Sequence, residues 1–505
     1  MPALVSARTA LLALACALAL AACGTDAPAV KPAPTAVAPK MAKADVEPQE
    51  LCQVKAELED ASSRLKLADL RTRLEKTAAT DRAAQFGALL AIDNDQDRFH
   101  AFHDDSLKNP QSAVGPLGEC FVYAAWKMSD QATGRCQMAD ERLRGAAIVD
   151  VARAELNRRK GAYDEAQTLV DNALSNDNGC AAALVEAARI AQAKNDPQKA
   201  LASWERARKA WPSCYLCAVE AAKITEVSSG KDAAVPLWEA ALALQPDAPE
   251  ALKRYGAALA GKDDKKALAA YERAVGAGQH DVATFVAAAQ LAMAAGDDDK
   301  ALAYAEAAAK QQPNEIDAWR AILALAQKKH DAAKAVGAAQ QVLRLVDEDL
   351  PALFVLGKDA QTSGDLVQAV QRYDVADRAV VAGRTGSLAP ADLEQFKKDD
   401  AALLTSLHVL STPPKGSAST VVNAVQHAVQ GLFAERLKVL AQQKKPTQGS
   451  IEVSVSVSAS GSVDEVEISK DTLADPPVTA SVVANLRRAL ITGGAKRYSF
   501  QMDFQ

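Results

Sequence analysis

Alanine recurs at a fixed period through the middle of this 505-residue sequence. Successive members of the series are 33 or 34 residues apart, a small residue follows each by seven positions, and an aromatic residue follows several by four. The series consists of Ala166, Ala200, Ala234, Ala267, Ala301, Ala335 and Ala369. Small residues let paired helices approach closely, and each pair buries its apolar face only by stacking on the next. The period therefore predicts an α-solenoid.

The segments ALASWERARKAWP and ALAAYERAVGAG show the pattern best, and they resemble the tetratricopeptide repeat. The resemblance implies seven repeats over residues 147–383 and a fold that binds proteins or peptides. Three prolines, Pro212, Pro246 and Pro313, share one position after a repeat, where proline ends a helix.

Extending the frame back by one period predicts a degenerate repeat at residues 113–146. Cys120 and Cys136 would then lie where the two helices of that repeat touch, which predicts a disulfide between them. Two small buried thiols are the alternative. Residues 49–112 are predicted to form helices that cap the stack, beginning with one strongly charged helix over residues 48–76. Residues 384–410 are predicted to form a closing helix and residues 411–419 a linker.

The N-terminus has the pattern of an export signal. Arg8 precedes an apolar run over residues 10–22 that is too short to span a bilayer and is typical of a signal peptide. The run ends in LAACG, which resembles the bacterial lipobox and implies lipidation of Cys23 after removal of residues 1–22. An ordinary signal peptide with an incidental Cys23 is the alternative. Residues 23–48, rich in Ala, Pro and Lys, predict a disordered tether.

These N-terminal features predict a localisation. They place the chain in the cell envelope of a Gram-negative bacterium, anchored by lipid. Gly24 after the lipidated position is compatible with the outer membrane, with the protein facing the periplasm.

Beyond residue 23, six cysteines remain, and an even number in an exported protein predicts disulfides. Cys214 and Cys217 form a C-x-x-C motif at the start of a predicted helix, which would suit thiol redox chemistry. No thioredoxin-like βαβ pattern surrounds the motif, and Ala218 replaces the His needed for c-type haem attachment. Because Cys180 lies one period before Cys214, a cross-link between neighbouring repeats is the preferred interpretation.

Composition and motifs argue against several functions. A net charge of −6 and a pI near 5.7 give no general basis for binding nucleic acid. The sequence contains no P-loop, G-x-S-x-G or G-x-G-x-x-G motif, which favours a protein that is not an enzyme and needs no cofactor. His100 and His103, followed by two aspartates, lack a third ligand signal, so we expect a solvated helix face there and no metal.

Stacked repeats line a concave groove with the first helix of each repeat. Arg189, Lys223 and Lys358 share one groove-facing position, and Arg320 occupies another. A row of cations predicts a partner-binding groove for an acidic peptide or a C-terminal carboxylate. Solvated surface charge is the alternative.

The C-terminal segment GSIEVSVSVSASGSVDEVEIS alternates apolar and polar residues around a central turn, which predicts a β-hairpin. Helices are predicted at residues 420–442 and 478–490, and a final strand at 497–504 places Tyr498, Phe500, Met502 and Phe504 on one face. The order over residues 420–505 is α-β-β-α-β.

This hairpin, followed by LADPPVTASVVANLRRAL, resembles TonB-like C-terminal domains, and more closely the AgmX/PglI type. The resemblance implies partner docking, for which an edge strand offers unpaired backbone groups. A folded cap on the chain is the alternative. Phe433, Ser481 and Ala489 stand where that type often carries two Cys and a Trp, which excludes a disulfide within this domain.

Together these observations predict a mainly α protein: a tetratricopeptide-repeat solenoid followed by a small α+β domain. The predicted function is a lipid-anchored scaffold or assembly protein of the envelope or of motility machinery, which binds partner proteins through its groove and its C-terminal domain. The alternative is an envelope hydrolase or thiol-redox enzyme that recruits substrate through the repeats.

Overall fold

A computed structural model describes residues 45–64, 66–384 and 388–505. Within these ranges the chain forms 23 α-helices and five β-strands. The helices build a solenoid, and the strands lie in a small C-terminal domain, so the predicted fold class is confirmed. The predicted signal peptide, Cys23 and nearly all of the predicted tether lie outside the described residues.

The solenoid begins with helices that do not belong to the periodic series. They are α1 (Pro48–Ser63), α2 (Leu67–Glu75), α3 (Arg82–Leu90), α4 (Asp95–Lys108), α5 (Val114–Ala125) and α6 (Ser129–Leu143). Helices α5 and α6 form a hairpin at the position of the predicted degenerate repeat, and a disulfide joins Cys120 to Cys136 within it.

Seven helical hairpins follow, one for each period of the alanine series. Their pairs are α7 (Ala147–Lys160) with α8 (Tyr163–Asn176), α9 (Ala181–Ala193) with α10 (Pro197–Ala210), α11 (Tyr215–Ser229) with α12 (Lys231–Leu244), α13 (Pro249–Leu259) with α14 (Asp264–Gly276), α15 (Val282–Ala295) with α16 (Asp298–Gln311), α17 (Ile316–Lys328) with α18 (Ala332–Leu345), and α19 (Leu350–Ser363) with α20 (Leu366–Val381). A last helix, α21 (Pro390–Ser406), follows the final pair.

The alanine series lies in the seams between helices. Six of its members are fully buried and Ala335 is 4% exposed, so they face the neighbouring helix as predicted. Trp204 and Trp238 fill the space beside them. The close approach is visible at Gly357, where a Cβ atom would overlap the ring of Tyr373.

Aspartates begin the second helices of five repeats. Each side chain accepts a hydrogen bond from the backbone N–H three residues later, which satisfies one of the free donors of the first turn. These N-cap residues are Asp196, Asp263, Asp297, Asp331 and Asp365.

The C-terminal domain contains two helices and five strands. They are β1 (Lys415–Ser417), α22 (Ala418–Gln442), β2 (Gly449–Val457), β3 (Val463–Asp471), α23 (Pro476–Arg487), β4 (Leu490–Thr492) and β5 (Lys496–Phe504). The main sheet is antiparallel in the order β3-β2-β5, and β1 pairs with β4 in parallel. Met502 and Phe504 are buried and Tyr498 and Phe500 half-buried, on the face predicted for them.

The structure corrects several predicted boundaries. A single charged helix was expected from residue 48 to 76, but α1 ends at Ser63 and α2 starts at Leu67. The predicted linker contains β1, and the predicted helix over residues 478–490 ends at Arg487, so that Leu490 belongs to β4. Strands of three residues carry no alternation long enough to predict them.

The last repeat and the C-terminal domain share one hydrophobic core. Its buried side chains run from Leu350 in α19 to Phe504 in β5. At the junction, Arg487 of α23 forms an ion pair of 2.6 Å with Asp374 of α20, and Arg378 of α20 donates to the carbonyl oxygen of Val463 at 2.8 Å. The domain is therefore packed against the end of the solenoid.

None of the helices in the described ranges is both long and apolar enough to cross a bilayer.

Candidate partner-binding groove

The first helices of the repeats provide the concave surface, and α1 covers one part of it. Helix α1 packs against α7, α9 and α11, the first helices of three successive repeats. The expectation that the N-terminal helices cap the end of the stack is therefore wrong for α1. Its buried residues are Leu51, Cys52, Ala56, Leu58, Asp60 and Ala61.

A disulfide fixes the start of α1 in the groove. It joins Cys52 of α1 to Cys180, the N-cap residue of α9, across 128 residues of sequence. A second disulfide joins Cys214 to Cys217 at the start of α11. The predicted cross-link between Cys180 and Cys214 is therefore wrong, because the one-period spacing places the two cysteines in equivalent positions on neighbouring repeats and not in contact.

Charged side chains join the middle of α1 to the groove. Lys55 lies 2.7 Å from Glu59 and 3.4 Å from Glu155 of α7, and Glu59 lies 2.9 Å from Arg189 of α9. Burial tends to raise the pKa of Glu155, but Lys55 and Arg159 outweigh it and lower this pKa to about 2. The buried charges are therefore compensated by partners and stay ionised at neutral pH.

Glu186 behaves differently within the same network. Burial and the charge of Glu155 raise the pKa of Glu186 to about 7, although Arg158 opposes the shift from 2.6 Å. Keeping Glu186 ionised therefore costs free energy, whereas Glu155 is stabilised in its ionised form.

The end of α1 contacts the start of α11. Asp60 accepts a hydrogen bond of 2.7 Å from the backbone N–H of Leu216, and burial raises the pKa of its carboxyl group. Arg64 donates to the carbonyl oxygen of Ser213 at 2.6 Å, and its guanidinium lies 5.3 Å from the centre of the Tyr215 ring. These contacts extend the covered surface to a third repeat.

All four cations predicted to bind a partner already have carboxylate neighbours within the chain. The pairs are Arg189 with Glu59 at 2.9 Å, Lys223 with Glu220 at 2.8 Å, Arg320 with Asp349 at 2.9 Å, and Lys358 with Asp399 at 3.3 Å. An acidic ligand would have to replace these partners. The partner-binding role of the four residues stays a prediction.

The structure brings together two of the four cations. Arg320 and Lys358 line a pocket of about 360 Å³ between α17, α19 and α21. Arg189 lines a separate cavity of about 240 Å³ beneath α1. The row predicted from the sequence is thus divided into a covered and an open part.

The floor of the open pocket is aromatic. The rings of Phe354 and Phe396 stack with their centres 4.0 Å apart, and Tyr373 meets Phe396 edge-on at 5.5 Å. Sequence reasoning missed these residues because α21 was interpreted only as a closing helix. The Phe in the otherwise charged sequence ADLEQFKKDD was the available signal.

The groove is accessible over three further first helices, α13, α15 and α17. In the described part of the chain, α13, α15 and α17 make their main contacts only with neighbouring solenoid helices. The concave surface therefore remains open from α13 to the pocket at α21.

The C-terminal sheet has two edges, because β3 and β5 lie on either side of β2. On the outer face of the sheet, polar residues of β2 lie opposite polar residues of β5. Ser454 and Ser499 form one such pair, with their hydroxyl oxygens 3.1 Å apart. Gln426 and Gln430 of α22 donate to backbone oxygens at the end of β5. The beginning of β5 and the part of β3 that follows Val463 are left for another strand.

Thiol and metal chemistry find little support in the geometry. Cys214 and Cys217 are both fully buried, so their disulfide does not face a substrate. Among the described residues, the one group close enough to ligate a metal is Cys52, Asp177 and Cys180, and its cysteines form a disulfide. His103 stacks on Phe99 and lies 3.3 Å from Glu119.

Comparison with known proteins recognises the tetratricopeptide repeat in part of the chain. The tetratricopeptide-repeat family model matches residues 228–282. YrrB, described as a tetratricopeptide-repeat protein with an unusual peptide-binding site, is 20% identical, and the match covers 36% of this chain and 95% of that chain at a TM-score of 0.33. No curated protein matches the chain.

Two proteins with pilus names are also similar in structure. PilF of Pseudomonas aeruginosa is 16% identical, with 41% of this chain and 95% of that chain covered at a TM-score of 0.35. PilW, described as a type IV pilus biogenesis factor, is 19% identical over 41% of this chain and 95% of that chain, at a TM-score of 0.29. Tetratricopeptide repeats in general mediate interactions between proteins.

Proposed function

We propose that this chain is a scaffold of the bacterial cell envelope, anchored by lipid at Cys23, which holds partner proteins in the open part of its groove and on its C-terminal domain. The observation that carries the proposal is the concave surface from α13 to α21, which the described parts of the chain leave uncovered while α1 covers the preceding repeats. The thiol-redox alternative is weaker, because the C-x-x-C motif is buried as a disulfide.

The two cations of the open pocket are not equally available to a ligand. Lys358 has a 63% exposed side chain and a single ion pair at 3.3 Å, and exposed pairs of this kind contribute about 0–1 kcal/mol. Arg320 binds Asp349, which is buried and also caps α19 through the N–H of Ala352. Lys358 can therefore exchange Asp399 for the carboxylate of an acidic peptide at low cost.

The C-terminal domain provides a second contact at a fixed distance from the first. It is packed on α20 through the shared core and the pair Arg487–Asp374, so its sheet edges keep their position relative to the groove. Two contacts on one rigid body raise the effective concentration of the second binding event. A strand added to β3 or β5 would use main-chain hydrogen bonds.

Photo-crosslinking in the native membrane fraction tests the scaffold. A crosslinking residue at Gln327, exposed on the first helix α17, should capture partner proteins, whereas the same residue at Gln340, exposed on the second helix α18, should not. Lys358→Glu should reduce capture at Gln327 at least fivefold, and the matched change Lys334→Glu, on α18, should leave it unchanged. Equal capture at the two positions would refute a groove function.

Two further measurements test the anchor and the docking domain. Cys23→Ser should move the protein from the membrane fraction to the soluble fraction and remove a lipid mass from its N-terminal peptide. Deletion of residues 413–505 should abolish pull-down of the partner proteins that crosslink at β3 or β5 in the full-length chain. Retention of membrane association in Cys23→Ser would refute the lipid anchor without affecting the groove proposal.

A further inference from the structure

Helix α1 crosses the covered groove in register with the repeats. Three of its side chains each make one polar contact to a successive repeat. The pairs are Lys55 with Glu155 of α7 at 3.4 Å, Glu59 with Arg189 of α9 at 2.9 Å, and Asp60 with the backbone N–H of Leu216 of α11 at 2.7 Å. A ligand helix lying along a repeat groove would make this pattern of contacts.

The packing of α1 against the groove is incomplete. A cavity of about 240 Å³ lies on one side, lined by Lys55, Glu59, Glu155 and Arg189 among others. A cavity of about 390 Å³ lies on the other side, between α1, α2 and the loop at Trp211. The seams between repeats, by contrast, are filled by buried alanines and tryptophans. Polar contacts and one covalent bond therefore act beside the buried apolar residues Leu51, Ala56 and Leu58 in holding α1 in place.

That covalent bond is the disulfide Cys52–Cys180, whose cysteines are 2% and 1% exposed, so a dithiol reaches it only when the first turns of α1 open locally. It joins the first turns of α1 directly to the groove helix α9, whereas Glu59, Asp60 and Arg64 hold the rest of α1 by polar contacts. Breaking the disulfide would leave α1 attached to the solenoid only by non-covalent contacts and by the chain itself.

We propose that α1 is a resident ligand of the groove over α7, α9 and α11, locked by Cys52–Cys180, and that a partner's amphipathic helix replaces it once a dithiol reduces this disulfide. In that step the S–S bond takes two electrons and two protons from the dithiol, which becomes a disulfide, and Cys52 and Cys180 become thiols. This site is distinct from the open groove of the proposed function.

The groove specifies the chemistry of the replacing helix. Without α1 it holds Arg158, Arg159 and Arg189 against Glu155 and Glu186, which leaves one net positive charge. The partner helix therefore carries a stripe of Ala and Leu, a basic residue for Glu155, and two adjacent acidic residues four positions later. This is the Lys-x-x-x-Glu-Asp pattern that α1 itself has at residues 55–60.

Hydrogen–deuterium exchange on the full-length protein tests whether α1 opens. In Cys52→Ser/Cys180→Ser, amides of residues 48–63 should exchange about 100-fold faster than in the oxidised wild type, while α7 and α9 stay protected. The matched control is Cys120→Ser/Cys136→Ser, which removes a disulfide elsewhere and should leave α1 protected. If the double variant fails to fold, the wild type with a dithiol provides the same comparison. Unchanged exchange in α1 would overturn the proposal.

A peptide with the sequence of residues 46–64, carrying Ser at position 52 and a fluorescent label, tests whether the groove is a ligand site. Two full-length proteins are compared, both with Glu59→Lys to weaken their own α1, one with and one without the Cys52–Cys180 disulfide. The protein without it should bind the peptide at least tenfold more tightly. Arg189→Glu is made in the disulfide-free protein that keeps its native Glu59, because the new carboxylate then repels the protein's own α1. In that protein it should abolish binding of this peptide and allow binding of a peptide with Glu59→Lys.

Three results would overturn the proposal. Equal peptide binding with and without the disulfide would show that the disulfide does not control access. No binding to a protein whose α1 amides exchange fast would show that the uncovered groove is not a ligand site. Dimers that form on loss of the disulfide and disappear with Arg189→Glu would make α1 of a second copy the occupant in place of a partner helix.

Discussion

The concave surface over α7, α9 and α11 is covered by α1, whereas the surface over α13, α15 and α17 is open, although both are built from the same repeat. In the covered part, charged residues lie in a buried network whose members include Lys55, Glu155 and Arg189. In the open part, cations pair with aspartates that begin the next repeat, as Lys253 does with Asp281 at 3.1 Å. The repeat therefore fixes the helices, and a segment outside the repeat decides whether their concave face is accessible.

The two parts also differ in how they are held together. All three disulfides of the described residues lie before α12, and they include the bond from α1 to α9. The open part depends on alanine seams, with Ala289, Ala305 and Ala308 at its centre. Cross-linking and buried charge are thus concentrated where the groove is covered.

The largest expected effect on the free energy of unfolding comes from removing the long-range disulfide Cys52–Cys180, which holds only the covered part together. Cys52→Ser/Cys180→Ser opens a loop of 128 residues, for which the chain-entropy relation gives a loss of about 5 kcal/mol in the free energy of unfolding. The measurement is guanidinium unfolding followed by circular dichroism.

The matched control is Cys214→Ser/Cys217→Ser, which opens a loop of only 3 residues. The same relation gives about 1.5 kcal/mol for this loop. Equal losses in the two variants would show that α1 contributes nothing to the covered part through its disulfide.

Two charge reversals, one in the covered part and one in the open part, should lower the free energy of unfolding by different amounts. Arg189→Glu places a carboxylate against Glu59 within a buried network and should cost about 3 kcal/mol of unfolding free energy. Arg320→Glu, in the open part, affects a residue with a 45% exposed side chain and should cost about 1 kcal/mol. Thermal unfolding of both variants checks the difference, and a similar loss in both would contradict the distinction between covered and open.

The periodic part of this fold is predictable from sequence because one physical requirement recurs. A helical seam needs small residues at fixed positions, and all seven alanines of the series are buried in it. The alternation in β2 predicts its pairing for the same reason, since Ile451, Val453 and Val455 must all face the helices.

The site was less predictable, because it depends on contacts distant in sequence. The position of Arg189 on the groove face follows from the period, but its partner Glu59 lies on a helix outside the period. The sequence of α1 was interpreted only as part of a strongly charged helix, although Cys52 in the same helix needed a partner and Cys180 was available. Helical periodicity shows which face a residue lies on and does not show what covers that face.

The smallest expected effect is a pH dependence at the far end of the open part. Asp400 of α21 has a pKa raised to about 6 by burial and by the neighbouring charge of Asp377, while Arg488 opposes the shift. The folded protein therefore holds this proton more tightly than the unfolded chain, in which an aspartate has a pKa of about 4. The free energy of unfolding should consequently fall as pH rises from about 4 to about 6, and ionised Asp400 should cost stability above that range.

Asp400→Asn removes this cost. We expect the variant to gain about 1 kcal/mol of unfolding free energy at pH 8, a value reduced for partial solvent exposure, and to gain little at pH 4.5. Asp392→Asn is the matched control, because Asp392 is exposed on the same helix and should show no such difference between the two pH values. Urea unfolding at both pH values measures the gain. A gain of equal size at pH 4.5 and pH 8 would mean that Asp400 is not the titrating group. The open part would then have no carboxylate at its junction with the C-terminal domain that corresponds to Glu186, whose pKa is raised in the covered part.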